Sequence, residues 1–490
     1  MDIQDLINRA GNGEHVIGQF SAKSITVPSW GELEKEYDPD KHPVMDKGEY
    51  PDITIYEDVA SESETDEFGQ PKIIRVAKGV ERVSRVTYAL QNLAVKRTTE
   101  LCFGIPVKRQ YNPLNDRQKE IARYIDNIFD RNHIDTVNIE RGRKLFASCE
   151  IMTLWYGVAQ ENEAYGFKSN LKLRCVTYSP MQGDALYPLF DEMGDLVALS
   201  VSYKRKVENE EVSYFDTYTS DKHIRWSNEK ENGTGAGAAS EMRVVLDEDI
   251  SIGKIPAVYM YRPTPVWENT SWMVYEMEWA VSRNGNYLRK NSRPILMAAV
   301  SEELQFGKSP ATDQAFRDIV HYPAGSSLQY VTWNQAIDNL KYYVNELRQM
   351  FFTQLQLPDW SYENMKTSPM SGEARKQLFI DCHLKVKDES GRWIEFFDRE
   401  VNVIKAYLKL MLPQDWAGDI DALPVKNVIT PFTITSDADA VSVLVNATGG
   451  KQLMSQGTAI QKLGMVDDAA EELTKIQAEA MQDMFAEPTE

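Results

Sequence analysis

Thr367-Ser368-Pro369-Met370-Ser371-Gly372-Glu373-Ala374 is a helix boundary written in eight residues. Pro369 cannot donate a backbone hydrogen bond and pushes the residue before it out of the helical region. Ser371 then offers the short hydroxyl that caps a helix N-terminus, and Glu373 puts a carboxylate in the first turn, where the helix dipole favours it. Beyond it, Leu378, Cys382, Val386, Trp393, Phe397, Val401, Ile404 and Leu408 fall on one side, which predicts one long helix ending near Met411. Gly391 in its middle costs about 1 kcal/mol relative to alanine and is a candidate bend.

Upstream, the stretch 357–370 carries two prolines, Pro358 and Pro369, and interrupts the helix. Before it, Ile337, Leu340, Val344, Leu347 and Phe351 step by threes and fours, so a helix is expected from Asn334, with Asp338, Lys341, Glu346 and Arg348 off the seam. A partner helix is expected over 271–292, where Trp272, Tyr275 and Trp279 recur at turn spacing and Arg283, Arg289 and Lys290 gather toward the C-terminal end. Between the two helices lie strand-like 295–300, a short helical stretch at 311–320 and strand-like 328–333. At about 1.5 Å per residue, helices of roughly 22 residues span about 33 Å. By spacing alone, the pair also fits an ordinary αα-hairpin core.

Residues 165–262 alternate with period two and carry turn signals, so they read as an antiparallel meander; Gly-rich 232–240 reads as a hairpin tip. The first 70 residues look polar, with Ser61-Glu62-Ser63-Glu64-Thr65-Asp66-Glu67 as a solvated loop. A helix is expected from Gly79 on the spacing of Val83, Val86, Leu90, Leu93 and Leu101, followed by helices over 116–131 and 136–152. A strand over 425–434 and short helices over 437–485 close the chain.

At 490 residues, 42% hydrophobic and 26% charged, the chain can bury more than one core. Its net charge of −20 disfavours a protein that grips nucleic acid over its whole surface, since such binders displace counterions with clustered cations. It leaves room for a wall past which DNA slides. The four cysteines, Cys102, Cys149, Cys175 and Cys382, form no CxxC pair and read as buried thiols of a reducing compartment. The start shows no secretory pattern and no apolar run reaches membrane-span length, so a soluble protein outside the membrane is expected. Gly449-Gly450-Lys451-Gln452 lacks the first glycine and the hydroxyl of a nucleotide loop, and neither HExxH nor GxSxG occurs. No catalytic residue, metal ligand or cofactor is assigned, and the chain is expected not to be an enzyme.

The order of helix, small insert, helix, proline-bounded loop and long helix resembles the portal proteins of tailed double-stranded DNA bacteriophages, of the siphovirus type. The resemblance is carried by Cys102-Phe103-Gly104-Ile105-Pro106-Val107, by Ile252-Gly253-Lys254-Ile255-Pro256-Ala257-Val258, by 367–374 and by Leu463-Gly464-Met465-Val466-Asp467-Asp468 with Glu471-Glu472-Leu473. It implies an α+β portal fold: N-terminal arm and mixed α/β wing over 1–265, stem helices over 266–293 and 334–356, a small α/β clip over 294–333, a tunnel loop over 357–372, a long helix returning to the wing over 373–434, and a helical crown over 435–490.

The same resemblance implies a dodecameric ring at one capsid vertex of the virion, assembled in the host cytoplasm. Through it the terminase motor packages double-stranded DNA without sequence specificity, and DNA exits on infection. Implied partners are the terminase large subunit, the major capsid and scaffolding proteins, and the head-completion or adaptor proteins that connect head to tail. On this reading Trp360, Tyr362, Asn364, Met365 and Lys366 of the tunnel loop approach DNA, against the plainer reading of a surface loop with a buried Trp360. Arg283, Arg289, Lys290, Lys341 and Arg348 either face the channel or pair with carboxylates of the neighbouring subunit. Ile295, Leu296, Met297, Leu328, Tyr330 and Trp333 present the clip to the terminase, its strands pairing either across subunits or within one. The alternatives are another ring-forming virion protein, such as an adaptor or baseplate component, and an unrecognised nucleotide-handling enzyme.

Overall fold

The computed structural model describes residues 13–21, 25–65, 71–207, 209–229, 242–291, 295–299, 305–307, 319–321, 327–331, 337–359, 379–432, 437–449, 453–463 and 471–478. The architecture is mixed α/β, with open antiparallel sheets in the first half and helices toward the C-terminus.

The sheets and helices stack as layers. Helix α1 (Gly13–Phe20) lies against one face of a five-stranded sheet, with Val16 and Phe20 touching Ala198, Phe215, Ile224 and Trp226. That sheet runs in the order β10-β9-β8-β7-β6, from β6 (Ala185–Phe190), β7 (Leu196–Val207), β8 (Glu210–Tyr218), β9 (Lys222–Ser227) and β10 (Arg243–Asp249). Its other face, through Leu199, Val201 and Tyr203, meets a three-stranded sheet of β11 (Ala257–Tyr261), β4 (Glu150–Asn162) and β5 (Ser169–Tyr178). The first half of β4, residues 150–155, is buried on both faces. Met152 and Leu154 point to the five-stranded sheet, whereas Ile151 and Trp155 point to a helical core, as period-two geometry requires.

That helical core is the largest. It joins α2 (Trp30–Tyr37), α3 (Leu90–Phe103), α4 (Asp116–Arg131), α5 (Ile134–Ser148), parts of α6 (Ser271–Asn291) and α7 (Ile337–Gln354), and the long α8 (Ile380–Met411). Trp393 of α8 sits at its centre, edge-on to Phe103 at 4.7 Å between ring centroids. Arg141 of α5 pairs with Glu400 of α8 at 2.6 Å, both buried, and the Trp155 indole N–H donates to the same carboxylate at 2.9 Å. The chain then returns through β16 (Val425–Val428), which pairs antiparallel with β3 (Lys108–Tyr111), before α10 (Asp437–Thr448) and α11 (Gln456–Leu463); the short α9 (Ala417–Ala422) precedes β16.

Three expectations are corrected. The helix begins at Leu90, not at Gly79, and the stretch before it is a long antiparallel ribbon, β1 (Ile53–Thr65) with β2 (Pro71–Glu81). The acidic run 61–65 belongs to β1 and is not a loop. The helix expected over 136–152 stops at Ser148, where Cys149 takes the left-handed conformation (φ 64°) and donates its N–H to Leu145 O, and β4 follows. Helix α8 runs unbroken through Gly391. The expected cap at Ser371 and the hairpin tip at 232–240 lie outside the described residues, as does most of the helical stretch expected over 311–320, whose last two residues open the strand Ile319–His321.

Candidate functional site

The most distinctive feature is the pair α6 and α7. They run in opposite directions, and their roots meet in the helical core: Met273, Val274 and Met277 of α6 pack with Leu347, Phe351 and Phe352 of α7. Away from the root the surface opens. Tyr287 and Leu288 of α6 and Tyr342 and Tyr343 of α7 are exposed aromatic or aliphatic side chains. Beyond the pair, β12 (Ile295–Ala299) pairs antiparallel with β15 (Ser327–Val331) in the same chain. A second short ladder joins β13 (Gln305–Gly307) to β14 (Ile319–His321).

A polar strap splints α6. Residues 82–88 run extended along it, and side chains spaced one turn apart on the helix catch its backbone. Glu278 accepts the Tyr88 N–H (2.7 Å), Ser282 Oγ the Val86 N–H (2.9 Å) and Asn286 Oδ1 the Ser84 N–H (2.6 Å), while Arg289 donates to Arg82 O and to Ser84 Oγ. A second N-terminal segment grips the same helix near its root. His42 Nδ1 lies 2.7 Å from Glu278 Oε1 with both side chains fully buried, and His42 Nε2 lies 2.9 Å from Glu36 O. Burial alone would lower the His42 pKa, but the hydrogen bond and the charge of Glu278 outweigh it and raise it. Glu36 in turn accepts from the Trp267 indole (2.7 Å) and from the Ser271 hydroxyl (2.9 Å) at the start of α6.

The stem cations of the sequence reading are thereby placed. Arg289 bonds the strap, Arg348 pairs with Asp359 of its own chain at 3.1 Å, and Arg283 lies over the Trp279 ring at 5.4 Å. Lys341 is exposed, and Lys290 is on α6. Ile295, Leu296 and Met297 fall in β12, and Leu328 and Tyr330 in β15, with Leu296 opposite Tyr330 in the register. Trp333, and the loop residues Trp360, Tyr362, Asn364, Met365 and Lys366, lie outside the described residues. The two chain ends leading into 360–378 are held together. Lys385 of α8 donates to Leu355 O at the end of α7, and Arg97 donates to Pro358 O (2.6 Å). Burial, helped by Arg262, lowers Lys385 to about 8.

Charge is distributed unevenly. Residues 1–70 hold seventeen carboxylates against five cations, and 431–490 hold ten against three, leaving −1 of the total −20 for everything between. On α6 and α7 themselves Glu276, Glu278, Asp338 and Glu346 face five cations. The helix pair is close to neutral, and the carboxylate excess belongs to the two ends of the chain.

Nothing in this arrangement resembles a reaction centre. Among the described residues no group of three or more His, Cys, Asp or Glu converges as a metal site, and no helix is long and apolar enough to cross a membrane. Burial pushes the Cys102 and Cys149 thiols up to about 12, which makes them poor nucleophiles.

The family profile described as "Phage portal protein, SPP1 Gp6-like" matches residues 76–484, most of the chain. The chain belongs to this phage portal protein family. No curated protein matches it. Portal proteins are structural, non-catalytic components of the virion that serve genome packaging.

Sequence reasoning missed the strap and the ribbon. The available signal was the alternation in Ile53-Thr54-Ile55-Tyr56 and in Ile73 to Val80, rich in β-branched residues on either side of Phe68-Gly69-Gln70.

Proposed function

We propose that this chain is one subunit of a dodecameric portal ring at a single capsid vertex. A separate terminase drives double-stranded DNA inward through the ring, and the same conduit releases it on infection. The observation that carries this reading is the family match over 76–484 taken with the helix pair, which is rooted in a core at one end and leaves apolar side chains exposed along the other. Such a surface suits burial between adjacent subunits. On this reading α6 and α7 are the stem, 294–333 the clip, 357–372 the tunnel loop and 435–490 the crown, with the layered sheets forming the wing.

DNA carries one negative charge per about 1.7 Å of axis, and each cation that pairs with a phosphate is a trap to be left at the next step. A near-neutral stem whose Arg289 and Arg348 are engaged within their own chain offers few such traps. Lys366 in the tunnel loop would supply one weak phosphate contact per subunit. The clip strands dock the terminase large subunit and later the head-completion or adaptor proteins, while the wing meets the major capsid and scaffolding proteins.

The test has two parts. Purified protein should run at the mass of a dodecamer and show rings with a central hole by negative-stain microscopy; a monomer at every salt concentration overturns the reading. Replacing 294–333 by a short glycine linker should leave the ring intact and abolish packaging with purified terminase. Packaging that survives this change would point to an adaptor or baseplate role instead.

A further inference from the structure

The ribbon β1–β2 has one face rich in aliphatic side chains and one of mixed character. Directly opposed residues of an antiparallel pair share a face and successive residues alternate, so the register sorts them. Ile53, Ile55, Glu57 and Val59 of β1 lie on one face, with Val76 opposite Glu57 and Ile74 opposite Val59. Thr54, Tyr56 and Asp58 lie on the other, opposite Val80, Ala77 and Arg75; there Arg75 sits over the Tyr56 ring at 5.6 Å and lies 3.8 Å from Asp58. On the first face Ile53, Ile55, Val59, Ile74 and Val76 are between 36 and 45% exposed. The carboxylate in the middle of this stripe, Glu57, has Lys78 Nζ at 3.0 Å, so the middle of the stripe is charge-balanced; Glu81 stands at its base.

A two-stranded ribbon in water is marginal, and one of thirteen residues in β1, about 40 Å long, exposes a long edge as well as this face. We propose that the apolar face of the ribbon clasps a second copy of this chain, the adjacent subunit of the ring. The inference rests on the ring reading above. Two observations select that occupant. First, each copy carries −20, so copies approach most readily where charge is cancelled, and the middle of this stripe is aliphatic with its carboxylate paired, within an N-terminal segment of strong negative charge. Second, the ribbon leaves the body at the strap: Asp52 accepts from Val83 N–H and from Arg85, and Arg82 O is held by Arg289 near the end of α6. It is therefore fastened to α6, the first stem helix of the ring reading.

A photoreactive benzophenone side chain introduced in the full-length chain at Val59, on the apolar face, should give covalent subunit dimers and higher ladders on irradiation of purified rings. Introduced at Thr54, on the opposite face of the same strand, it should give several-fold less. Rings that form normally but yield no inter-subunit product at Val59, or equal product at the two positions, overturn the clasp and leave the ring reading standing. Product that appears only when capsid or scaffolding protein is added, joined to that protein, assigns the face to another partner and overturns the clasp. If the unmodified chain forms no ring, the ring reading fails and the clasp with it. The triple variant Ile55→Thr, Val59→Thr, Ile74→Thr supplies an independent check: it should keep the far-ultraviolet spectrum of the parent and shift the ring toward monomer on dilution, and an unchanged dilution profile contradicts the clasp.

Discussion

The two ends of the helix pair are built on opposite plans. At the root, Met273, Val274 and Met277 meet Phe351 and Phe352 in a closed core joined to Trp393, while at the outer end Tyr342 is 69% exposed and Leu288 has no cover of that kind. The root resembles the interior of a domain, and the outer end resembles half of an interface. The lesson is that one continuous helix can serve two thermodynamic purposes. In α6 the first turns are buried in the core and the last turns expose Tyr287 and Leu288, and in α7 the order is reversed.

This contrast can be broken by mutation. Phe351→Ala removes a side chain that is 0% exposed at the root and should destabilise the isolated chain by about 3–5 kcal/mol, read as a drop in the denaturant midpoint. A smaller loss would mean that the root is not core.

The grip on α6 should respond to pH in a defined direction. His42 has its pKa raised above the ordinary 6.5, burial opposing and Glu278 prevailing, so the pair contributes its full stability below that unfolded value. The contribution is lost as pH rises through the folded pKa. Denaturant midpoints taken from about pH 6 to pH 9 should fall for the parent through this window and fall less for His42→Gln. Parallel curves would contradict a protonated His42.

Tyr342→Ala at the outer end should change the stability of the isolated subunit by no more than about 0.5 kcal/mol. A large loss of monomer stability would erase the distinction between root and outer end.

Much of this organisation was legible in the residues. The turn spacing of Trp272, Tyr275 and Trp279 located α6 within a residue of its C-terminal end, and the β-rich stretch was visible in its alternation. What escaped is instructive. Val83, Val86 and Leu90 have helical spacing, yet 82–88 are extended, because their backbone donors are satisfied by Glu278, Ser282 and Asn286, some 190 to 202 positions away. A local pattern cannot report a distant hydrogen-bond acceptor. The acidic run was misread over 61–65 for a related reason, since polarity does not distinguish a loop from a strand. Of the candidate site, the position of the stem cations on helices was readable, but their engagement by Arg82 O and Asp359 was a tertiary fact.

The strap has a mechanical consequence. It is fastened to α6 at four levels between Glu278 and Arg289, a distance of about 16 Å along the axis. A helix with one rigid end behaves as a cantilever, and a load applied near its tip bends it most at the root. A second strand of chain bonded alongside turns the cantilever into a truss, in which part of the load travels down the strap to Tyr88 and the rest down the helix. That division spares the core at the root part of any load that bends the helix.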